Sequence, residues 1–353
     1  MASEPFATMT TETPVLIVGA GPGGLTAAAT LARYGIDFLL VERRAELSSL
    51  PRATGVSTRT MELFRSFGIE DEVRAGGDEV EWTQWFCETL AAASKGHGVP
   101  TGFPTREQCS LISPSAPACV PQDHLEPVLL EYVRSLGVGR VELGAELTGL
   151  EQRGDGVRAH LGRHTVDAGY LIAADGAHSR IRSALGIQMR GPDDLNGAVS
   201  ALFRAPLFDV VGERRHAFYM ITRPEAEGVF LPAGRGRWLY AVTHDAGSAL
   251  ARIREDELVE RIRLAAGAPA LEPRIERMGR FAFAAQLADR YRHGNAFLIG
   301  DAAHRATPRG GTGMNSAIHD GHDLAWKLAW VLRGWAQPEL LDSYERERRP
   351  VAE

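Results

Sequence analysis

The sequence predicts an α/β protein in which a doubly wound, nucleotide-binding domain is interrupted by an inserted antiparallel sheet. Three observations predict it. Short, continuous apolar runs at 15–18, 170–174 and 297–299 each stop at a turn containing Gly or Asp-Gly that opens a helix, as parallel strands buried on both faces do. Over residues 191–283 the pattern changes to short alternating segments, AVSALFRA, HAFYMI, GVFLPA, RWLYAVT and RFAFAAQ, which read as antiparallel strands. At Ala296 the first pattern returns, so the second region is an insertion and not a tandem block.

The first segment is a complete β-α-β unit. The run at 15–18 enters Gly19-Ala-Gly21-Pro-Gly-Gly24, a helix rich in Ala and Leu stops at Gly35, and the strand at 37–41 ends at Glu42. Gly-x-Gly-x-x-Gly with an acid roughly 20 residues further on is a dinucleotide-binding arrangement. Gly19 allows the tight turn, Gly21 lets the backbone approach a pyrophosphate, and Gly24 lets the helix pack on the strand. Glu42 is placed to accept hydrogen bonds from a ribose diol.

A loop follows, with Arg52, and then a helix with Arg59 from about Ser57 to Gly68. Residues 78–120 mix Trp82, Trp85 and Phe86 with Gly, Pro and Ser and read as strands and loops. A helix is expected after Pro121, with Asp123 as its N-cap and Leu125, Val128, Leu129 and Val133 as its core stripe. Gln122, just before the cap, can face a ligand. The second apolar run delivers Asp175-Gly176 and then Ser179 into a helix carrying Arg180 and Arg182, which suits a polyphosphate or a diol. A charged helix at 255–264 reads as a solvated face.

The third such stretch, AFLIGDAAHRATPRGGTGMN at 296–315, runs from a strand through Gly300-Asp301 and a Pro/Gly turn. A helix then opens near Gly313 and extends to about Arg333. The first amides of that helix lack internal partners and sit at the positive end of its dipole. His304 in the turn fits a structural hydrogen bond better than a general base, and Trp326 and Trp330 fit packing. A last charged helix is expected to end before Pro350.

Composition narrows the function. With 44% hydrophobic and 24% charged residues and a net charge of -6, the chain has the make-up of a soluble globular protein and no basic excess for nucleic acid or an anionic membrane. Three cysteines without metal-ligand spacing predict no metal and a reducing compartment. No apolar run reaches membrane-spanning length, and the N-terminal stretch reads as a loose tail without signal-peptide features. A cytoplasmic location is expected.

Taken together, the three sites resemble those of the class A flavoprotein (FAD-dependent) aromatic monooxygenases of the p-hydroxybenzoate hydroxylase type. The resemblance runs from Val15 to Pro350 and is closest to the bacterial hydroxylases that tailor aromatic polyketides in antibiotic biosynthesis. It implies a GR2-type, Rossmann-like FAD-binding domain in three parts, 1–78, 121–190 and 287–353. It also implies a substrate-domain excursion at 79–120 and an antiparallel-sheet substrate domain at 191–286.

The resemblance implies roles as well. Asp175, Gly176, Ser179 and Arg182 match a motif that serves both FAD and NADPH, and Asp301 matches the residue on the ribityl chain. Arg52 and Gln122 match flavin contacts, and Glu42, Arg43, Pro308, Gly311, Gly313, Met314 and Asn315 complete the expected cofactor site. Pro308 and Gly311 are nearest the chemistry, which takes place on the flavin, so no catalytic side chain is assigned. The implied cycle is reduction of FAD by NADPH or NADH, addition of O₂, and hydroxylation of an aromatic or polyketide-like small molecule through a C4a-hydroperoxyflavin. Baeyer–Villiger insertion, a flavin reductase or dehydrogenase, and a non-catalytic FAD-binding regulator stay open. Trp82, Trp85, Phe86, Phe218, Met220 and Phe230 are the candidate pocket wall. Thr307 stands where many members have a proline before Pro308. Members usually continue past the position of Glu353, often into a thioredoxin-like domain, so a fragment is expected.

Overall fold

The computed structural model describes residues 10–245, 248–308 and 310–353. The tail expected at the N-terminus lies, over residues 1–9, outside the described residues. Five strands pair in parallel, in the order Ala296–Leu298, His164–Ala173, Thr10–Val18, Leu39–Glu42 and Arg140–Leu143. From Thr10–Val18 the chain first adds strands on one side and then crosses to the other. In an open α/β sheet the crevice at such a switch, beyond the carboxyl ends of the strands, is where a ligand fits.

The helix Pro22–Arg33 is buried along almost its whole length, because helices Gln122–Ser135 and Gly313–Leu332 both pack on it. The approach of Gly313–Leu332 is very close: a Cβ on Gly321 would stand 2.2 Å from the Gly23 carbonyl oxygen. Thr30 Oγ1 and His322 Nδ1, 3.2 Å apart, add a polar contact to the crossing.

The second sheet has seven strands, in the order Arg274–Ala282, Gly197–Arg204, Arg237–His244, Gly228–Pro232, His216–Ile221, Glu81–Cys87 and His97–Pro100. It is antiparallel except where His216–Ile221 meets Glu81–Cys87, a parallel pair. Those two strands are far apart in sequence, so no hairpin dictates their direction. Helix Glu255–Ala266 covers one face through Leu258, Ile262 and Ala265 and turns its charges to solvent. The other face stays open toward the first sheet.

Three local expectations need correction. The stretch at 78–120 also holds a helix, Arg106–Ile112, whose Thr105 and Gln108 form a reciprocal capping box. Asp123 is not an N-cap: Pro121 takes that place in extended conformation, and Asp123 in the first turn instead binds Arg237 of the second sheet at 2.6 and 3.2 Å. Pro350 lies inside the last helix, Asp342–Ala352, two residues before its end, so the bond and the close carbonyl contact that it costs fall in the final turn.

The crossing predicts a stability effect. Gly321→Ala should lower the free energy of unfolding by about 1–3 kcal/mol through overpacking, seen as a lower urea midpoint at unchanged slope. Acid should act on the same helix. Burial pushes His319 and His322 down to about 4 from an ordinary 6.5, so both are neutral in the fold. The unfolded chain then binds more protons between those values, and stability should be full above pH 6.5 and decline as pH falls toward 4. Urea titrations across that window check the sign.

Candidate active site

The glycine turn is wedged between strand ends. Gly19 has φ of +113°, its N–H donates to Val41 O at 2.8 Å, and a Cβ there would fall 2.2 Å from Ala174 O. A Cβ on Gly24 would fall 2.0 Å from Gly19 O, whereas one on Gly21 would meet nothing within 4 Å. The turn is thus closed toward the sheet and open at Gly21 toward a cleft. Glu42 is fixed beside it, accepting from Ala20 N at 3.0 Å and from Arg44 N at 3.1 Å, and Arg43 lines the same cleft.

At the second turn, Asp175 and Gly176 face this cleft. Asp175 Oδ2 accepts from Ile181 N at 3.2 Å, while Oδ1 is buried and has no hydrogen-bond partner among the described residues. Burial raises this carboxyl above the ordinary carboxylate range, against the pull of Ser179 and nearby amides. Arg182 is turned away from the cleft. Its guanidinium donates to Ala302 O and to Ala177 O, each at 3.1 Å, and so straps the second turn to the third.

Asp301 opens to the cleft but is crowded by protein atoms on its other sides. Desolvation there raises its carboxyl, against the opposing charges of His304, Arg52 and Arg305. His304 is buried, with Nε2 2.7 Å from Asp320 Oδ2, which also accepts from Gly300 N at 3.0 Å; Asp320 Oδ1 accepts from Arg348 Nε at 2.8 Å. Burial pushes Asp320 up, but His304 and Arg348 outweigh it and hold it ionised below its usual range. His304 is therefore a structural partner, held out of reach of the cleft.

Pro308, Gly311, Gly313 and Met314 line the cleft next to Asp301. The Asn315 side chain does not. Its Oδ1 accepts from Ser57 N and Thr60 Oγ1, both at 2.8 Å, and its Nδ2 donates to Gly55 O at 2.9 Å and Gly311 O at 3.0 Å. What helix Gly313–Leu332 offers to a ligand is its first-turn amides, including that of Asn315. Arg52 and Gln122 also line the cleft. Gln122 Nε2 donates at 2.7 Å to Oε1 of Glu126, a buried carboxyl on the cleft that sequence reasoning missed. Burial raises Glu126, opposed by Gln122 and by the charges of Arg52 and Arg44. The signal was its position four residues after Gln122, one helical turn along the same face.

The cleft holds about 1470 Å³, and the open face of the second sheet forms its far wall. Register partners share a face, so the wall is built in rows. One row runs Gly279, Ser200, Ala241, Val229, Met220, Phe86, and beside it runs Arg277, Leu202, Leu239, Leu231. Phe218 also lines the cleft, whereas Trp82, Trp85 and Phe230 pack elsewhere. Trp85 stacks on His216 with centroids 4.3 Å apart, Phe230 packs on Tyr240 at 4.7 Å, and Trp82 on Phe103 at 4.6 Å. The strand's period of two sends Trp85 to the face opposite Phe86.

Residues 12–353 match the FAD binding domain family. The chain belongs to that family. It is similar to the aklavinone 12-hydroxylase DnrF of Streptomyces peucetius, 40% identical over 97% of this chain and 72% of that one. It is also similar to the tetracenomycin B2 monooxygenase-dioxygenase of Streptomyces olivaceus, 35% identical over 96% and 67%. Among solved structures, the flavin-dependent monooxygenase PieE in complex with FAD and substrate superposes with a TM-score of 0.90 at 34% identity, covering 97% of this chain and 62% of that one. Aklavinone-11 hydroxylase with FAD and aklavinone gives 0.88 at 37%, covering 97% and 66%. The chain spans 63%, 72%, 66% and 56% of the length of four polyketide and aklavinone hydroxylases that it matches. Among the described residues, no helix is long and apolar enough to cross a membrane.

The residues present fit FAD. The open side of Gly21 and the first-turn amides suit phosphate or other negative charge, and the unpartnered Asp175 Oδ1 is an acceptor awaiting a donor. In this FAD-binding domain, Asn315→Ala should remove four hydrogen bonds behind the cleft and destabilise by about 2–3 kcal/mol. Asn315→Asp, which sets oxygens against Gly55 O and Gly311 O, should cost at least as much. Thermal unfolding of both variants measures this.

Proposed function

We propose that this domain binds FAD across its three turns. Within its whole protein, we propose, it works in the cytoplasm as a monooxygenase that uses NADPH or NADH and O₂ to hydroxylate an aromatic, polyketide-like small molecule. One observation carries the reading: all three turns open into a single cleft whose opposite wall is a largely apolar sheet face. A cofactor on one side and a flat apolar substrate on the other fit such a space. The relatives' printed activities support the same reading. The division follows: 1–78, 121–190 and 287–353 as the FAD part, 79–120 and 191–286 as the substrate part.

When bound, FAD supplies the redox and oxygen chemistry. The chain's share is binding, orientation and exclusion of water. Glu42, held by the amides of Ala20 and Arg44, accepts from a ribose diol, with Arg43 beside it. The amides at Gly21 take the pyrophosphate, and Asp301 takes hydroxyls of the ribityl chain. Arg52 and Gln122 reach the flavin, with Gln122 held by Glu126. Asp175 and Gly176 close the cofactor site, and Arg182 holds their turn in place. The amides of Gly313, Met314 and Asn315, at the N-terminus of their helix, would stabilise negative charge on the bound ring, since a helix N-terminus needs no reorganisation to do so, whereas the Gly311 amide is taken by Pro308 O at 3.2 Å and Gly311 only lines the cleft. Pro308 stiffens the turn beside the ring. The sheet face keeps the reacting region dry.

Two measurements test this. Asp301→Ala should weaken FAD binding at least about tenfold, the loss expected for one charge-assisted hydrogen bond; an unchanged dissociation constant contradicts the assignment. With FAD loaded, a panel of polycyclic phenols and quinones should include one that stimulates NADPH oxidation and gains one oxygen atom. Release of hydrogen peroxide alone across the panel rejects hydroxylation.

A further inference from the structure

The far wall of the cleft is not uniform. Toward strands His216–Ile221 and Gly228–Pro232 it is bulky and apolar, with Phe218, Met220, Val229 and Leu231. Toward the edge strand Arg274–Ala282 it becomes more polar, with Ser200, Gly279, Thr243 and Arg277, and with Phe281 of the same strand beside them. Arg277 pairs in register with Leu202, and Gly279 with Ser200, so Arg277 and Ser200 are diagonal neighbours on one face, within reach of a long side chain. A Cβ on Gly279 would come 3.1 Å from Ser200 Oγ, so the glycine leaves the space before that hydroxyl open.

The arginines around this corner differ in their engagement. Arg280 donates to Ala251 O and Ile253 O, Arg261 to Glu225 O and Glu227 O, and Arg204 to Glu276. Arg277 has no ion pair or hydrogen bond among the described residues, although it lines the cleft beside Leu202. An unengaged guanidinium at the rim of an apolar wall, with a hydroxyl next to it, is a two-donor site for an oxyanion, which arginine binds in a forked geometry.

We propose that Arg277, assisted by Ser200, is a specificity-determining residue that selects substrates carrying an acidic oxygen, a carboxylate or an ionised phenol, at one end of an apolar ring system. The inference rests on the monooxygenase reading only for the word substrate. The anionic end lies against Arg277 and Ser200 in the space that Gly279 leaves, and the rings lie along Leu202, Leu239 and Leu231. Binding is therefore amphipathic: the apolar half contributes affinity and the cation chooses orientation.

The test compares a planar probe acid, anthraquinone-2-carboxylic acid, with its methyl ester, by calorimetry on the FAD-loaded protein. The natural sequence should bind the acid about tenfold more tightly than the ester, a factor in line with one charge-assisted hydrogen bond. Arg277→Gln should abolish that preference while leaving ester affinity and FAD affinity unchanged, and Arg277→Lys should keep part of it. Gly279→Val should weaken the acid more than the ester. Equal or absent binding of both probes by the natural sequence, or a preference that survives Arg277→Gln, overturns the inference. Acid-selective binding without oxygenation of any aromatic would reject the monooxygenase reading and leave the anion site standing.

Discussion

The crossing of helices Pro22–Arg33 and Gly313–Leu332 is the contact on which the cleft depends. Each of these helices opens from a cleft-facing turn, so their separation fixes the distance between the two turns. Ala317, early in the second helix, touches both: a Cβ on Gly23 would stand 2.8 Å from its carbonyl oxygen, and a Cβ on Gly300 would stand 2.9 Å from its methyl. Small residues at 23, 317 and 321 let the helices meet backbone to backbone, and the glycine at 300 lets the third turn close on the same crossing. Close-packed interiors cannot absorb larger groups there without moving one turn away from the other.

Side chains that look like ligand contacts by motif divide into two kinds once the geometry is known. Glu42, Asp175 and Asp301 face the cleft. Arg182 and Asn315 turn away from it and fasten one turn to another through bonds to Ala302 O and Gly55 O. Such residues keep the turns in a mutual geometry, which no single turn can set by itself. The Asp123–Arg237 pair extends the same principle to the second sheet, holding the far wall of the cleft to the helix that carries Gln122 and Glu126.

The local signals were strong where backbone chemistry is severe. A turn with φ of +113° at Gly19, an apolar strand before it and an acid at Glu42 leave little freedom, and the three strand-turn-helix units were legible for that reason. The alternating period showed the second sheet, but the parallel pairing of Glu81–Cys87 was not legible, because strand neighbours distant in sequence are chosen by tertiary packing. The same limit explains Trp85 and Phe230: alternation says that neighbours face opposite ways, not which way is the cleft. Asp123 was misplaced because a short acid before a helix satisfies capping and first-turn positions equally, and only the presence of Arg237 separates them. Glu126 was overlooked because one more acid on a charged helix is indistinguishable from a solvated one until its burial is known.

The electrostatics of the cleft follow one rule. Asp175, Asp301 and Glu126 are each raised by desolvation, so none is strongly stabilised as an anion by the protein alone. Such acids favour partners that donate hydrogen bonds, which a ribose or a ribityl chain does and a phosphate does not. Phosphate is left to the backbone amides at Gly21, which donate at the positive end of a helix and carry no carboxylate to repel it. A dinucleotide carries hydroxyls on either side of its diphosphate, and the three turns offer both carboxyl oxygens and backbone amides to the one cleft. Carboxyls that suit hydroxyls and amides that suit phosphate are what the turns offer to a ligand of that kind.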